Sequence, residues 1–309
     1  MGAFISPKDV GLEVSPLKGD LGAIVEGLNV ADGIDQKTGK FLAELWQGKG
    51  LILFKNCPVT PQQHIELSRC FGQLEIHPLA AIRVPGNEEL VQLPPKGTLP
   101  PPVCYYDDVA RSNRIHWHSD MMYTTHPTRG ALLRLLEIPE EAGETGFIDT
   151  ALAYDGLSTE IKNEIENLEA VHSFVEEGDS VVYGKHWEKF RREGERSVKY
   201  ETFPDVVHRI VSVHPKTGRK SLNLSPLNLR YVLGIDSAKS DKLLRYLVEH
   251  CLKDLYRYVH CWEPNQIILY DNLRTFHSAY GIVPGSKRLA QRTTLKNIEP
   301  DGYVLSKAG

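Results

Sequence analysis

From residue 114 onward, short apolar segments recur without regular alternation with helices, and this pattern limits the fold more than any other feature. Strand-like runs fall at 114–118, 130–136, 146–150, 208–214, 220–224, 266–271 and 289–296. Charged, helix-like stretches at 151–170, 183–197 and 237–256 interrupt them without separating each strand from the next. A parallel sheet needs a crossover, usually a helix, between successive strands, so the pattern argues against a dinucleotide-binding fold. There is also no GxGxxG or GxxxxGK[ST] loop to suggest a nucleotide site. The pattern predicts a mainly β chain with helical insertions, built on a jelly-roll core over 114–298.

The preceding residues read differently. Phe41, Leu42, Leu45 and Trp46 have helical spacing within 38–48, "GLILFKNC" (50–57) is a short strand, and Thr60-Pro61 opens a helix that ends near Gly72. This gives an N-terminal helix and strand region over 20–75. Residues 77–115 are rich in proline and glycine and are read as a loop or lid, since long ordered loops in compact domains tend to carry function. "PKTGRKSLNL" (215–224) is read as a hairpin turning at Gly218. The 309 residues are taken as one domain, 1–309.

A net charge of −4 gives no push toward nucleic acid or an anionic membrane. No run approaches the ~18 apolar residues of a membrane span, and the first residues lack the apolar core of a signal peptide. Five cysteines without CxxC spacing read as reduced thiols, which fits a cytoplasmic chain. For assembly there is only the base expectation of a homodimer or higher homo-oligomer.

Chemistry concentrates in "RIHWHSDMMY" (114–123), where His116, His118 and Asp120 alternate. In an extended strand such residues share one face. Two histidines and one carboxylate can bind a metal facially and leave other positions open. His118 and Asp120 supply two such ligands, and a third would come from another strand. Among the twelve histidines, His64 and His250 fall in helical patterns, His172 and His186 in a polar insertion, and His126 before a proline. His277 follows an apolar strand at a turn rich in Asp, Asn and Arg, where a structural histidine is the ordinary reading. HxHxD also begins the HxHxDH signature of metal-dependent hydrolases, but Met121 stands where that signature needs its next histidine.

"WHSD" (117–120), "PTRGALLRLLEIPEEAGETGFIDTALAYDGLS" (127–158), "WEPNQIILYDNLRTFHSA" (262–279) and "RLAQRTTL" (288–295) together resemble the taurine dioxygenase / TfdA-like family. These are Fe(II)- and 2-oxoglutarate-dependent oxygenases. "LGAIVEGLNVADGI" and "KGLILFKN…FGQLEIHP" are similar to that family too, so the likeness runs from about residue 20 to about 298. It implies a double-stranded β-helix core with flanking α-helices. It also implies iron ligands His118, Asp120 and His277, with 2-oxoglutarate held by Thr145 and Arg288. Arg292 and His77 match residues that contact the substrate anion in the taurine enzyme, and Tyr105 and Tyr106 in the preceding loop are candidate substrate contacts. His116 is left as a packing or supporting residue, because a fourth protein ligand would take a position needed by 2-oxoglutarate or O2.

The implied reaction couples decarboxylation of 2-oxoglutarate, to succinate and CO2, with oxidation of a C–H bond, by default hydroxylation. The expected substrate is a small molecule bearing a carboxylate, sulfonate or sulfate. Ala80 stands where the taurine enzyme has an aromatic residue, which points to a bulkier, partly apolar acid. The competing expectations are a catalytically inactive jelly-roll binding protein and a hydrolase using His116, His118 and Asp120.

Overall fold

The computed structural model describes residues 5–94, 101–176, 178–194 and 202–306. Two large sheets face each other across a core. An eight-stranded sheet runs, in spatial order, Glu13–Lys18, Leu21–Glu26, Leu51–Phe54, Ile267–Asp271, Gly130–Glu137, Leu289–Leu295, Asn87–Leu93 and Arg83–Val84. A six-stranded sheet runs Phe190–Glu193, Val103–Tyr106, Val109–His118, Thr275–Ile282, Thr145–Asp149 and Arg257–His260. From Val109 on, the chain passes back and forth between the two. This is the double-stranded β-helix, and the mainly β expectation stands.

Alternation along the strands explains the layering. Ile268 and Tyr270 join Leu51, Leu53, Ala131 and Phe147 in the core between the sheets. Their neighbours Ile267 and Leu269 face outward with Ile52 and Phe54, onto Phe41, Leu42, Trp46 and Leu67 of the helices Gln36–Lys49 and Pro61–Arg69. Both faces are buried, so these strands read as unbroken apolar runs. Across the six-stranded sheet, Trp117, Ile148 and Phe276 pack with Leu243, Leu244, Leu247 and Val248 of the helix Ser237–Cys251.

The helix ends are legible in sequence. Asp35 accepts from the backbone N–H of Lys37 and Thr38, and Thr60 with Gln63 forms a capping box ahead of Pro61. Gly50 closes the first helix at φ +72°, and a Cβ there would meet the Arg274 guanidinium at 2.6 Å, so both conformation and space call for glycine.

Several expectations need correction. Residues 183–194 form no helix but bends leading into the strand Phe190–Glu193, and 195–197 lie outside the described residues. Residues 151–170 divide into helices Thr150–Asp155 and Thr159–Ile165 and the start of a strand, Glu169–His172, because Gly156 ends the first helix. The proline-rich 77–115 is not one loop. It contains the strands Asn87–Leu93 and Val103–Tyr106, each second from the end of its sheet and paired with distant strands or a following hairpin, while 95–100 lie outside the described residues. The hairpin at Gly218 is present, pairing Val211–Val213 with Lys220–Leu222. Among the described residues, no helix is long and apolar enough to cross a membrane.

Candidate active site

The strand Val109–His118 ends on His118, and its antiparallel neighbour Thr275–Ile282 places His277 directly opposite. Directly opposed residues on neighbouring strands bring their side chains together, and the two rings lie 4.1 Å apart. His277 therefore belongs to a strand and not to the turn that its polar surroundings suggested. Asp120 arrives by a different route. The strand has already ended, and Met121 at φ +61° turns the chain, so a shared strand face is not what brings Asp120 to His118. Asn272 fixes the turn instead. Its Oδ1 accepts from the Asp120 N–H at 2.7 Å, and its Nδ2 donates to the carbonyls of Asp120 at 3.0 Å and Thr128 at 2.9 Å.

Asp120 Oδ1 lies 3.6 Å from His118 Nε2 and 3.7 Å from His277 Nε2, and one donor atom from each residue falls within 4.8 Å of the others. First-row metal bonds of about 2.1 Å allow two donors on one ion to be at most about 4.2 Å apart, so both carboxylate–imidazole separations fit a common ion. The tautomer fits as well. His118 Nδ1 sits 2.7 Å from the His116 carbonyl, which can only accept, so the proton is on Nδ1 and the Nε2 lone pair faces the group. Burial, then the nearby His118, pushes His277 down to about 4. Burial alone would raise Asp120, but the Arg292 guanidinium and then His277 outweigh it and hold the carboxyl well below its usual range. Two neutral imidazoles and one carboxylate are the protonation states a metal requires.

The other oxygen of Asp120 is held from behind. Arg292 donates to Oδ2 at 2.8 Å and the Tyr270 hydroxyl donates to it at 3.0 Å. Thr145 opens the strand Thr145–Asp149, two positions from Phe147, which pairs with His277. It is buried, and its Oγ1 accepts from the Trp262 indole at 3.0 Å. Arg288 lies just ahead of the strand Leu289–Leu295, and among the described residues no carboxylate pairs with it. Burial pushes its guanidinium down to about 10. His77 is half-buried. Arg83 tethers its carbonyl at 2.6 Å, and burial and then the Arg292 charge lower its pKa.

His116 packs and supports, as expected, and the two tyrosines lie on a neighbouring strand. His116 Nε2 donates to the Tyr183 carbonyl at 3.0 Å and its ring meets Trp187 edge-on, so it leaves the metal group, and the HxHxD hydrolase arrangement goes with it. Tyr106 is packed against Trp187 and Phe190, and Tyr105 bonds Glu193 beneath Arg191. Both tyrosines belong to the strand Val103–Tyr106, paired with Phe190–Glu193 and Val109–His118. Conversely, sequence reasoning missed Tyr270, Asn272 and Trp262. Only the alternation in "IILYD", which turns Tyr270 to the face of Ile268, gave any signal.

A family model described as "Taurine catabolism dioxygenase TauD, TfdA family" matches residues 13–294. The (S)-phenoxypropionate/alpha-ketoglutarate-dioxygenase of Sphingobium herbicidovorans is 29% identical over 287 residues, spanning 86% of this chain and 88% of the relative. An alpha-ketoglutarate-dependent sulfate ester dioxygenase of Pseudomonas putida is 27% identical over 304 residues, spanning 96% and 93%. Among solved structures, a taurine dioxygenase from Burkholderia xenovorans superposes with a TM-score of 0.74 at 24% identity, covering 96% of this chain and 95% of the other, a likeness of fold.

Proposed function

This chain belongs to the TauD, TfdA family of alpha-ketoglutarate-dependent dioxygenases, and on that premise we propose that His118, Asp120 and His277 hold Fe(II) for O2-dependent oxidation of an organic anion. The observation that carries the reading is the cluster of two Nε2 atoms on one carboxylate oxygen, with His118 locked in the ligating tautomer. Bound there, Fe(II) supplies the oxidation chemistry, in which 2-oxoglutarate becomes succinate and CO2 and a substrate C–H bond is oxidised.

The chain's own residues bind and orient. Arg288 takes the distal carboxylate of 2-oxoglutarate through paired N–H donors, a reading supported by its having no carboxylate partner among the described residues. Thr145 uses one lone pair on Trp262 and keeps its hydroxyl proton for the same carboxylate. Asn272 holds the Asp120 backbone and Tyr270 holds its Oδ2, which leaves Oδ1 on the histidine side. Arg292 Nε is buried with no hydrogen-bond partner among the described residues. A buried N–H of this kind calls for an acceptor, and the substrate's anionic group supplies it, with His77 alongside. Ala80 begins the short helix Ala80–Ile82 that follows His77 and presents little bulk, which favours an acid larger than taurine. The relatives named for phenoxypropionate and sulfate esters support that class.

The test is spectroscopic. Fe(II) with 2-oxoglutarate, without O2, should give the chain a weak visible charge-transfer band, as expected for a facial triad chelated by the cosubstrate. His277→Ala should abolish it and His116→Ala should keep it. A band that survives His277→Ala would overturn the ligand assignment.

A further inference from the structure

Residues 73–75 pair with the end of the strand Leu289–Leu295. The Glu75 N–H donates to the Thr294 carbonyl at 2.9 Å, the Lys296 N–H donates to the Gln73 carbonyl at 2.8 Å, and Leu74 bridges Leu295 between them. This register sets Glu75 opposite Thr294, and opposed residues on paired strands stand on one face. Arg292 is two positions from Thr294 and shares that face. Glu75 is therefore a diagonal neighbour of Arg292, on the side where Arg292 meets Asp120. Ile76 turns outward and is 57% exposed, and His77 is half-buried again.

The Glu75 carboxylate is half-buried, yet among the described residues it has no hydrogen bond and no ion pair. Burial raises its pKa against the opposing charges of Arg292 and then Lys296, and Asp120 adds to the rise. Its neighbours are donors. Arg292 spends one nitrogen on Asp120 and keeps Nε buried without a partner. His77 Nδ1 accepts from the Leu79 N–H at 3.2 Å, so in the neutral ring the proton sits on Nε2. Arg292 and His77 thus offer N–H groups to an anionic head, and Glu75 sets an acceptor-only carboxylate beside them. An anionic head alone meets attraction from Arg292 and repulsion from Glu75. A head that also carries a donor turns that repulsion into a charge-assisted hydrogen bond.

We propose that Glu75 is a specificity-determining residue, which selects organic acids that carry an ammonium or hydroxyl group next to the anionic head. The inference rests on the reading of Arg292 as the residue that takes that head. It narrows the substrate class from organic anions at large to those with a hydrogen-bond donor beside the charge.

The experiment is calorimetric titration of the full chain, loaded with Mn(II) and saturating 2-oxoglutarate. The probes are 3-phenylpropionate with phenylalanine and 3-phenyllactate, and hexanoate with norleucine and 2-hydroxyhexanoate, each chiral acid as both enantiomers. At least one amino or hydroxy acid should bind about tenfold more tightly than the plain acid of the same body. A larger gain for the amino acid assigns an ammonium to Glu75, and a larger gain for the hydroxy acid assigns a hydroxyl. Glu75→Gln should weaken the favoured acid about tenfold and tighten the plain one, a crossed change that misfolding does not produce. Ile76→Ala, on the outward face, should alter neither. Plain acids that bind as well as their substituted counterparts, or a Glu75→Gln variant that moves both alike or neither, would overturn the inference, and Arg292→Ala weakening every acid would show that the Arg292 reading stands without it. Binding that Arg292→Ala does not weaken, or no binding of any acid, would overturn that reading and the inference with it.

Discussion

Asn272 holds Asp120 by both of its backbone polar groups, accepting from its N–H at 2.7 Å and donating to its carbonyl at 3.0 Å. The carboxylate that completes the metal group is thus placed by a residue 152 positions away in the chain. Asn272→Ala should free the turn at Met121 and lower metal affinity by about 10–100-fold, the usual effect of removing a group that orients a ligand. Titration with Mn(II) or Fe(II) reads this directly. An unchanged affinity in a folded variant would show that the turn holds itself.

The two arginines should separate kinetically. Arg288→Ala should raise KM for 2-oxoglutarate by roughly 10–100-fold, the worth of a charge-assisted hydrogen bond or two, with Arg288→Lys recovering part of the loss. Arg292→Ala should act chiefly on the KM of the oxidised substrate. A Michaelis analysis in which both variants affect only 2-oxoglutarate would remove Arg292 from the substrate side.

Arg274 and Asp149 form an ion pair at 2.5 Å with both side chains 2% exposed, and Asp149 also caps the helix Thr150–Asp155. Removing one partner strands a buried charge, so Arg274→Ala should cost about 3–5 kcal/mol in urea unfolding. Lys40→Ala, which breaks an exposed pair with Glu44 at 3.8 Å, should leave the midpoint where it was.

Acid should weaken the fold before it reaches the carboxylates. Burial, then the adjacent His208, pushes His172 down to about 3, and burial does the same to His64. The unfolded chain takes up these protons near pH 6.5, so between about pH 6.5 and 3 it binds more protons than the folded chain. Stability is full above that window and falls through it on acidification, by at most about 1.4 kcal/mol per pH unit for each histidine. Urea midpoints at pH 7 and pH 5 should differ, and His172→Gln should narrow the gap. Equal gaps in both proteins would mean that His172 titrates alike folded and unfolded.

The strands buried on both faces were legible because their signal is local: "LILF" and "IILYD" are apolar whatever their partners turn out to be. The strand Thr275–Ile282 was not, since "TFHSAYGI" mixes polar residues that face the metal group with others that line a cavity behind it. The strands Asn87–Leu93 and Val103–Tyr106, each second from the end of its sheet, were hidden because the prolines that flank them read as loop.

The sequence by itself determined the chemistry available to this protein: the metal-ligating residue types, the candidate pair of arginines and the family likeness that orders them. Only the tertiary structure decided which residues meet. It set His118 opposite His277, drew Asp120 in through Asn272, and turned His116 away from the group. The physical reason is that cross-strand register and turn geometry depend on partners more than 100 residues distant, which no local pattern records.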